Sequence, residues 1–224
     1  MESDTALLSD VADGARPGLR LYRWAVPTLS LGRFQSDDEV DHDACRRLGV
    51  AVVRRPTGGK ALLHGADLTY AVAIPRPEGA DGSVDAVYCR LAGALIAGLA
   101  HLGVEAAIAR HERAAAGSGP AAPGPVCFTS MQGADLRVGE RKLCGSAQVR
   151  RGGAVLQHGS ILLERLPFDE TDVLVPRRGG ALPAPHDLRR ITVTMGELGA
   201  PRDPRVVAAA LVGGFRETLD VEFT

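Results

Sequence analysis

The stretch ADLRVGERKLCGSAQVRRGGAVLQHGSILL, residues 134–163, constrains the fold more than any other part of the chain. It reads as three strands separated by two turn sequences, Val138-Gly139-Glu140 and Gly152-Gly153. Tight turns of that kind join neighbouring antiparallel strands, because a parallel pair needs a crossover of a dozen residues or more. Elsewhere strands and helices follow one another without regular β-α-β alternation, which argues against a doubly wound parallel sheet. The fold class expected is α+β: a mixed, mainly antiparallel sheet flanked by helices. The same stretch carries groups that strands do not need. Lys142 and Cys144 precede the small residues Gly145, Ser146 and Ala147, and Gln157 and His158 interrupt an apolar segment.

The rest of the chain supplies the flanking elements. Residues 5–11 read as a short amphipathic helix, and LRLYRWAVPTLSLGRF as two short strands around Pro27. DHDACRRLGV has the signals of a short helix, with Asp41 or Asp43 at its start and Gly49 as its stop. VAVVRRP reads as a strand, Thr57-Gly58-Gly59 as a loop, and KALLHGADLTYAVAIP as strand, turn and strand ending at Pro75. SVDAVYCRLAGALIAGLAHLG is the clearest helix, capped by Ser83 and stopped by Gly103, with an apolar stripe of Val87, Leu91, Leu95 and Leu99. A low-complexity linker spans 114–125 and a Pro-rich irregular stretch 175–186. Short helices close the chain, the last from near Asp203-Pro204. No internal repeat or composition break divides the sequence, so one domain over residues 1–224 is expected.

Composition narrows the function classes. Among 224 residues, 26 Lys and Arg against 27 Asp and Glu give a formal net charge of −1, no footprint for nucleic acid. Apolar runs fall short of the ~18–20 residues of a membrane span. The acidic N-terminus lacks the basic-then-apolar order of a signal peptide, and a cytoplasmic location is expected. The four cysteines, Cys45, Cys89, Cys127 and Cys144, form no C-x-x-C pair and suggest neither a zinc site nor a redox dithiol. Free thiols and no bound metal are expected.

Three segments could carry chemistry, each with a plainer reading beside it. In RRPTGGKALLH, Gly58 and Gly59 let a backbone approach a ligand, with Arg54, Arg55 and Lys60 adding positive charge. A hairpin turn flanked by solvated bases has the same pattern. In the opening stretch, Lys142 beside three small residues could hold or polarise a carbonyl, though strand lysines are usually exposed. Simple alternation puts Cys144 on the face of Lys142. His158 fits a hydrogen-bonded structural histidine as well as a proton carrier. In PVCFTS, Cys127 follows the linker directly, and it and Lys142 flank a predicted hairpin across which they could meet. An ammonium near a thiol favours the nucleophilic thiolate; a buried structural cysteine is the alternative.

Together these segments resemble the biotin/lipoate A/B protein ligase superfamily. LSLGRFQ is similar to an early strand motif of that family, and RRPTGGKALLHGADLTYAV to its R-R-x-x-G-G-x-A-x-x-H signature. RKLCGSAQVRRGGAVLQHGSILL resembles a second signature built on a lysine, G-S-A-Q and H-G-[ST]-[IL]-L. The likeness spans roughly residues 1 to 220 and implies a fold akin to the biotin/lipoate protein ligase catalytic core. VCF, upstream of the signature lysine, is similar to the segment bearing the nucleophile in the cysteine-dependent octanoyltransferases. Lys60 stands where many ligases have a third glycine, and the chain's end near Thr224 leaves no room for the accessory domain many ligases carry; both favour the transferase branch.

Carried over, the resemblance implies Cys127 as acyl-accepting nucleophile and Lys142 as signature lysine. It implies Arg55, Gly58, Gly59, His64, Gly145, Ser146, Ala147 and His158 as substrate-binding residues, and leaves Cys144 incidental. The implied reaction moves an octanoyl (or lipoyl) group through a cysteine thioester, with octanoyl–acyl carrier protein as donor, or with a second lipoyl domain as donor in an amidotransferase variant. The implied acceptor is a lysine of a lipoyl domain, from the glycine cleavage H protein or the E2 subunit of a 2-oxoacid dehydrogenase. No cofactor is implied, whereas ATP and magnesium belong to the alternative, an ATP-dependent lipoate ligase. A non-catalytic relative that binds acyl or lipoyl carriers is the other alternative.

Overall fold

The strands sort into two sheets according to what they bury. The computed structural model describes residues 1–109, 135–176 and 181–219. Five helices, α1 (Glu2–Ala12), α2 (His42–Leu48), α3 (Val84–Ala100), α4 (Pro185–Ile191) and α5 (Pro204–Leu219), accompany nine strands within them. The strands are β1 (Gly18–Tyr22), β2 (Thr28–Leu31), β3 (Ala51–Arg54), β4 (Leu62–His64), β5 (Asp67–Pro75), β6 (Ala107–Ile108), β7 (Leu136–Val138), β8 (Arg141–Arg151) and β9 (Ala154–Leu162). The larger sheet has the order β1-β5-β9-β8-β7-β6 and is antiparallel throughout. The smaller, β3-β2-β4, pairs β2 parallel to β3 and antiparallel to β4. The expected mixed, mainly antiparallel α+β architecture is therefore what the chain forms. The segment read as strand, turn and strand contributes to both sheets: β4 belongs to the smaller and β5 to the larger, with no pairing between them.

Strand β5 shows how one strand serves two layers. Leu68, Tyr70, Val72 and Ile74 point into the main core, which they share with α3 and α5. Ala71 and Ala73, on the opposite face, pack against Leu8 and Val11 of α1. Val87, Leu91, Leu95 and Leu99 of α3, the stripe expected from the sequence, are fully buried. Asp41 and Ser83 cap α2 and α3 through their side chains, and Gly49 closes α2 in the left-handed region at φ 66°. The closing helix α5 runs 16 residues, longer than the short helices expected. Its Gly213-Gly214 pair does not break it, because Gly214 sits where α5 meets α3. A Cβ there would lie 2.2 Å from the Gly98 nitrogen. No helix of the described residues is long and apolar enough to cross a membrane.

One irregularity matters for the site. Leu136 pairs with Cys144 and Arg137 with Lys142, so β8 carries one residue more than β7 between those pairs. Such a bulge breaks the two-residue alternation. Cys144 joins the apolar core, whereas Lys142 lines a cavity. The two do not share a face as simple alternation implied.

Candidate active site

The cavity, of about 190 Å³, opens between the two sheets near the Gly58-Gly59 loop and the middle of β8. Every residue nominated from the sequence except Cys127 lines it: Arg55, Gly58, Gly59, His64, Lys142, Gly145, Ser146, Ala147 and His158. Cys127 and the 114–125 linker lie outside the described residues.

Lys142 is not the exposed strand lysine that residue statistics favour. It is 1% exposed, and its Nζ lies 2.7 Å from Asp135 Oδ2. A buried ammonium is costly without a counter-charge, and Asp135 stands where it supplies one. Asp135 Oδ1 accepts the Ser146 N–H at 3.2 Å, which fixes the carboxylate to β8. Gly145 makes room for this pair, since a Cβ there would stand 3.2 Å from Lys142 Cε and 3.4 Å from its Nζ. Ser146 turns its hydroxyl to Tyr70 Oη at 2.7 Å, and Gln157 donates to the same oxygen at 3.0 Å. The neighbouring Cys144 thiol is pushed up to about 12 by burial, with Asp135 adding to the rise, so it remains a packed thiol.

Arg55 plays a different part from a ligand's counter-ion. Its guanidinium donates to the Ser30, Gly58 and Lys60 carbonyls at 2.9, 3.0 and 2.6 Å. It thus sits inside the curl of the loop and braces it. Gly59 adopts φ 95°, a left-handed conformation that glycine takes without strain. Gly32 at the end of β2 packs directly on the loop: a Cβ on it would come within 1.9 Å of the Gly59 carbonyl oxygen.

Two histidines hold this loop region, each between a carboxylate and a hydroxyl. His158 Nε2 lies 2.6 Å from Thr57 Oγ1, and its Nδ1 3.3 Å from Asp4 Oδ2. Asp4, in the first turn of α1, also meets Arg20 and accepts the Tyr22 hydroxyl at 2.8 Å. Burial lowers the His158 pKa, although Asp4 opposes the shift. Burial works to raise the Asp4 carboxyl, but hydrogen bonds from His158 and Tyr22 and the His158 and Arg20 charges hold it below its usual value. His64 Nε2 lies 2.9 Å from Ser30 Oγ and its Nδ1 2.8 Å from Asp67 Oδ2, while Trp24 stacks on the ring at 4.5 Å. Asp67 also accepts Ser160 Oγ–H and the Gly65 N–H. Burial works against the Asp67 carboxylate, yet its contact with His64 and these hydrogen bonds keep its pKa below the ordinary one.

Sequence reasoning missed the partners: Asp135, Asp67, Asp4, Thr57 and Ser30. Asp67 follows His64 by three residues in HGAD, a spacing that could have suggested a pair. Asp4 carries no such signal, since an acidic residue in a helix's first turn is ordinary capping composition. No group of three or more His, Cys, Asp or Glu suited to a metal occurs among the described residues.

A buried ammonium, a braced Gly-Gly loop and two carboxylate-backed histidines around one cavity suit the handling of a carbonyl group. The chain belongs to the lipoyl protein ligase A/B catalytic domain family, which matches it over residues 1–173. Octanoyltransferase LipM of Carboxydothermus hydrogenoformans is 43% identical over 168 residues, 73% of this chain and 60% of that protein. Octanoyltransferase LipM of Symbiobacterium thermophilum is 39% identical over 219 residues, 93% of this chain and 77% of the relative. The chain therefore spans 60% of the first relative's length and 77% of the second's. Among solved structures, lipoate-protein ligase A bound with ATP superposes with a TM-score of 0.74 at 25% identity, covering 99% of this chain and 83% of that one. A T. acidophilum protein with bound lipoic acid gives a TM-score of 0.73 at 26% identity, covering 99% and 82%.

Proposed function

We propose that the protein is a cytoplasmic acyltransferase that moves an octanoyl group from acyl carrier protein to a lysine of a lipoyl domain, through a thioester on Cys127. The observation that carries this reading is the cavity wall where the Lys142 ammonium, held by Asp135, stands beside the small residues Gly145, Ser146 and Ala147. A fixed positive charge there stabilises the oxyanion that forms when a thioester carbonyl is attacked. In the first step the Cys127 thiolate attacks the octanoyl carbonyl, the new C–S bond forms and the carrier leaves as its thiolate. In the second the acceptor amine attacks the enzyme thioester and Cys127 is released. Both substrates of attack are thioesters, already activated, so the chemistry calls on neither ATP nor a metal. The 39–43% identity to proteins named octanoyltransferase supports this branch of the family.

A lipoyl domain as acceptor is supported by the family itself and by an archaeal neighbour described together with its E2 lipoyl domain. The ATP-dependent ligase reading draws on one observation, the ATP-bound ligase that shares this fold at 25% identity. Transfer assays separate the two. Octanoyl–acyl carrier protein alone should modify a lipoyl domain, and free lipoate with ATP and magnesium should not. The reverse pattern would make the protein a ligase.

A further inference from the structure

We propose that the Gly32–Gln35 turn, with Phe34 at its tip and Arg33 over the ring, is the docking surface for the anionic carrier that delivers the acyl thioester. This rests on the transferase reading above and deepens it. Phe34 is 84% exposed, more than any other large hydrophobic residue among the described ones. Single exposed apolar side chains are common and signify little by themselves. Phe34 differs in how its backbone is held. The Gln35 N–H donates to the Gly32 carbonyl at 3.0 Å and closes the turn. Arg54 Nη1 donates to the Gly32 and Gln35 carbonyls at 2.9 and 2.7 Å, and Gln35 Nε2 donates to the buried Glu39 at 2.8 Å. The Arg33 guanidinium lies 5.4 Å from the centre of the Phe34 ring. A ring left in solvent contributes little to folding, whereas an aromatic and an arginine held in place lose little freedom when a partner covers them.

The turn is fastened to the rim of the cavity. The Arg33 N–H donates to the Thr57 carbonyl at 2.8 Å, and Gly32 packs on the carbonyl of Gly59. Gly58, Gly59 and Lys60 line the cavity, so a protein that reaches in past this loop meets Arg33 and Phe34.

Charge decides between the two macromolecules of the proposed reaction. Residues 32–35 and 54–60, GRFQ and RRPTGGK, hold three arginines and a lysine and no acidic residue. Arg33 and Arg54 are exposed and Lys60 is half-buried. The nearest acids along the chain, Asp37 and Asp38, follow the turn, and Asp37 meets His42 at 2.9 Å. An acyl carrier tethers its arm through a phosphodiester, an anion whatever the carrier's own sequence. A lipoyl domain brings a lysine, a cation. The basic rim attracts the first and repels the second.

The test changes the donor while keeping the thioester. Loading of the full chain is followed by intact mass for wild type, Phe34→Ala and Arg33→Ala, with octanoyl–acyl carrier protein or octanoyl-pantetheine, which lacks both the phosphodiester and the protein. With the carrier, kcat/KM should fall about tenfold in Phe34→Ala and about three- to tenfold in Arg33→Ala, which should also lose part of the wild-type salt dependence. With octanoyl-pantetheine both variants should load within about twofold of wild type, and once loaded they should pass the group to a lipoyl domain within about threefold. Wild-type loading from the carrier, equal losses with both donors, or a loss at the lipoyl-domain step as large as at loading overturns the proposal. If octanoyl-pantetheine loads none of the proteins, the carrier's constants decide: a raised KM at wild-type kcat supports docking, and a lower kcat overturns it. A wild-type protein that takes no acyl group from either donor overturns the transferase reading itself, an outcome recognised without any variant.

Discussion

Replacing Gly145 by alanine should leave the fold standing and damage the chemistry. The added Cβ would lie 3.2 Å from Lys142 Cε and 3.4 Å from Nζ, closer than the ~3.5–4.0 Å of ordinary carbon contacts. Both atoms are the far end of a flexible side chain, so relief requires a shift of a few tenths of an ångström and one torsion off its minimum. That costs about 0.5–1.5 kcal/mol. For a chain of this length it corresponds to a fall in Tm of roughly 1–6 °C. In the proposed reaction the same shift moves Lys142 relative to the thioester carbonyl, and misplacements below an ångström cost on the order of 10- to 100-fold in rate. Thermal unfolding and steady-state octanoyl transfer, measured on one preparation, read the two effects. Gly159→Ala is the contrast. Its Cβ would meet the Gly145 carbonyl oxygen at 2.3 Å and Tyr70 Cε1 at 2.6 Å, backbone and packed ring that cannot yield cheaply. Its stability loss should reach about 3 kcal/mol or more. A Gly145→Ala protein with full activity, or one that unfolds as readily as Gly159→Ala, would refute the account of Lys142 as the group that residue makes room for.

Other perturbations test other parts. Burial raises the Glu170 carboxyl to about 7, so the folded state holds a proton there that the unfolded chain releases near the ordinary carboxylate value. Stability should therefore decline as pH rises from about 4.5 through 7, and Glu170→Gln should gain roughly 2 kcal/mol at pH 8 with little gain at pH 5. Denaturant titrations at the two pH values check this, and equal effects at both would contradict it. Thr57→Val keeps the shape but removes the 2.6 Å partner of His158 Nε2. A buried nitrogen left without that partner should cost about 1–3 kcal/mol of unfolding free energy. A neutral result would mean that His158 does not tie β9 to the loop.

Much of this arrangement was legible because it rests on local chemistry. Turns at Gly139 and Gly152-Gly153, the caps Asp41 and Ser83, and the stripe of α3 are set within a few residues of one another. What could not be read depends on distant pairing. Nothing local assigns β4 and β5 to different sheets, or inserts the bulge that separates Cys144 from Lys142. The nominated cavity residues came from motif resemblance, and their partners were missed because they lie far off in sequence. Asp4 reaches His158 across 154 positions, and Ser30 reaches His64 across 34. Arg55 was legible as a site residue but not in its role, since only the folded loop shows its donors turned onto the loop's own carbonyls.

The central claim is that an octanoyl group rests on Cys127 between donor and acceptor. Intact-protein mass after incubation with octanoyl–acyl carrier protein tests it most directly, on wild type and Cys127→Ala. The expected result is a single octanoyl adduct on wild type, removed by hydroxylamine and absent from the variant. An adduct on both proteins, or on neither while free lipoate is transferred with ATP, would contradict the thioester route.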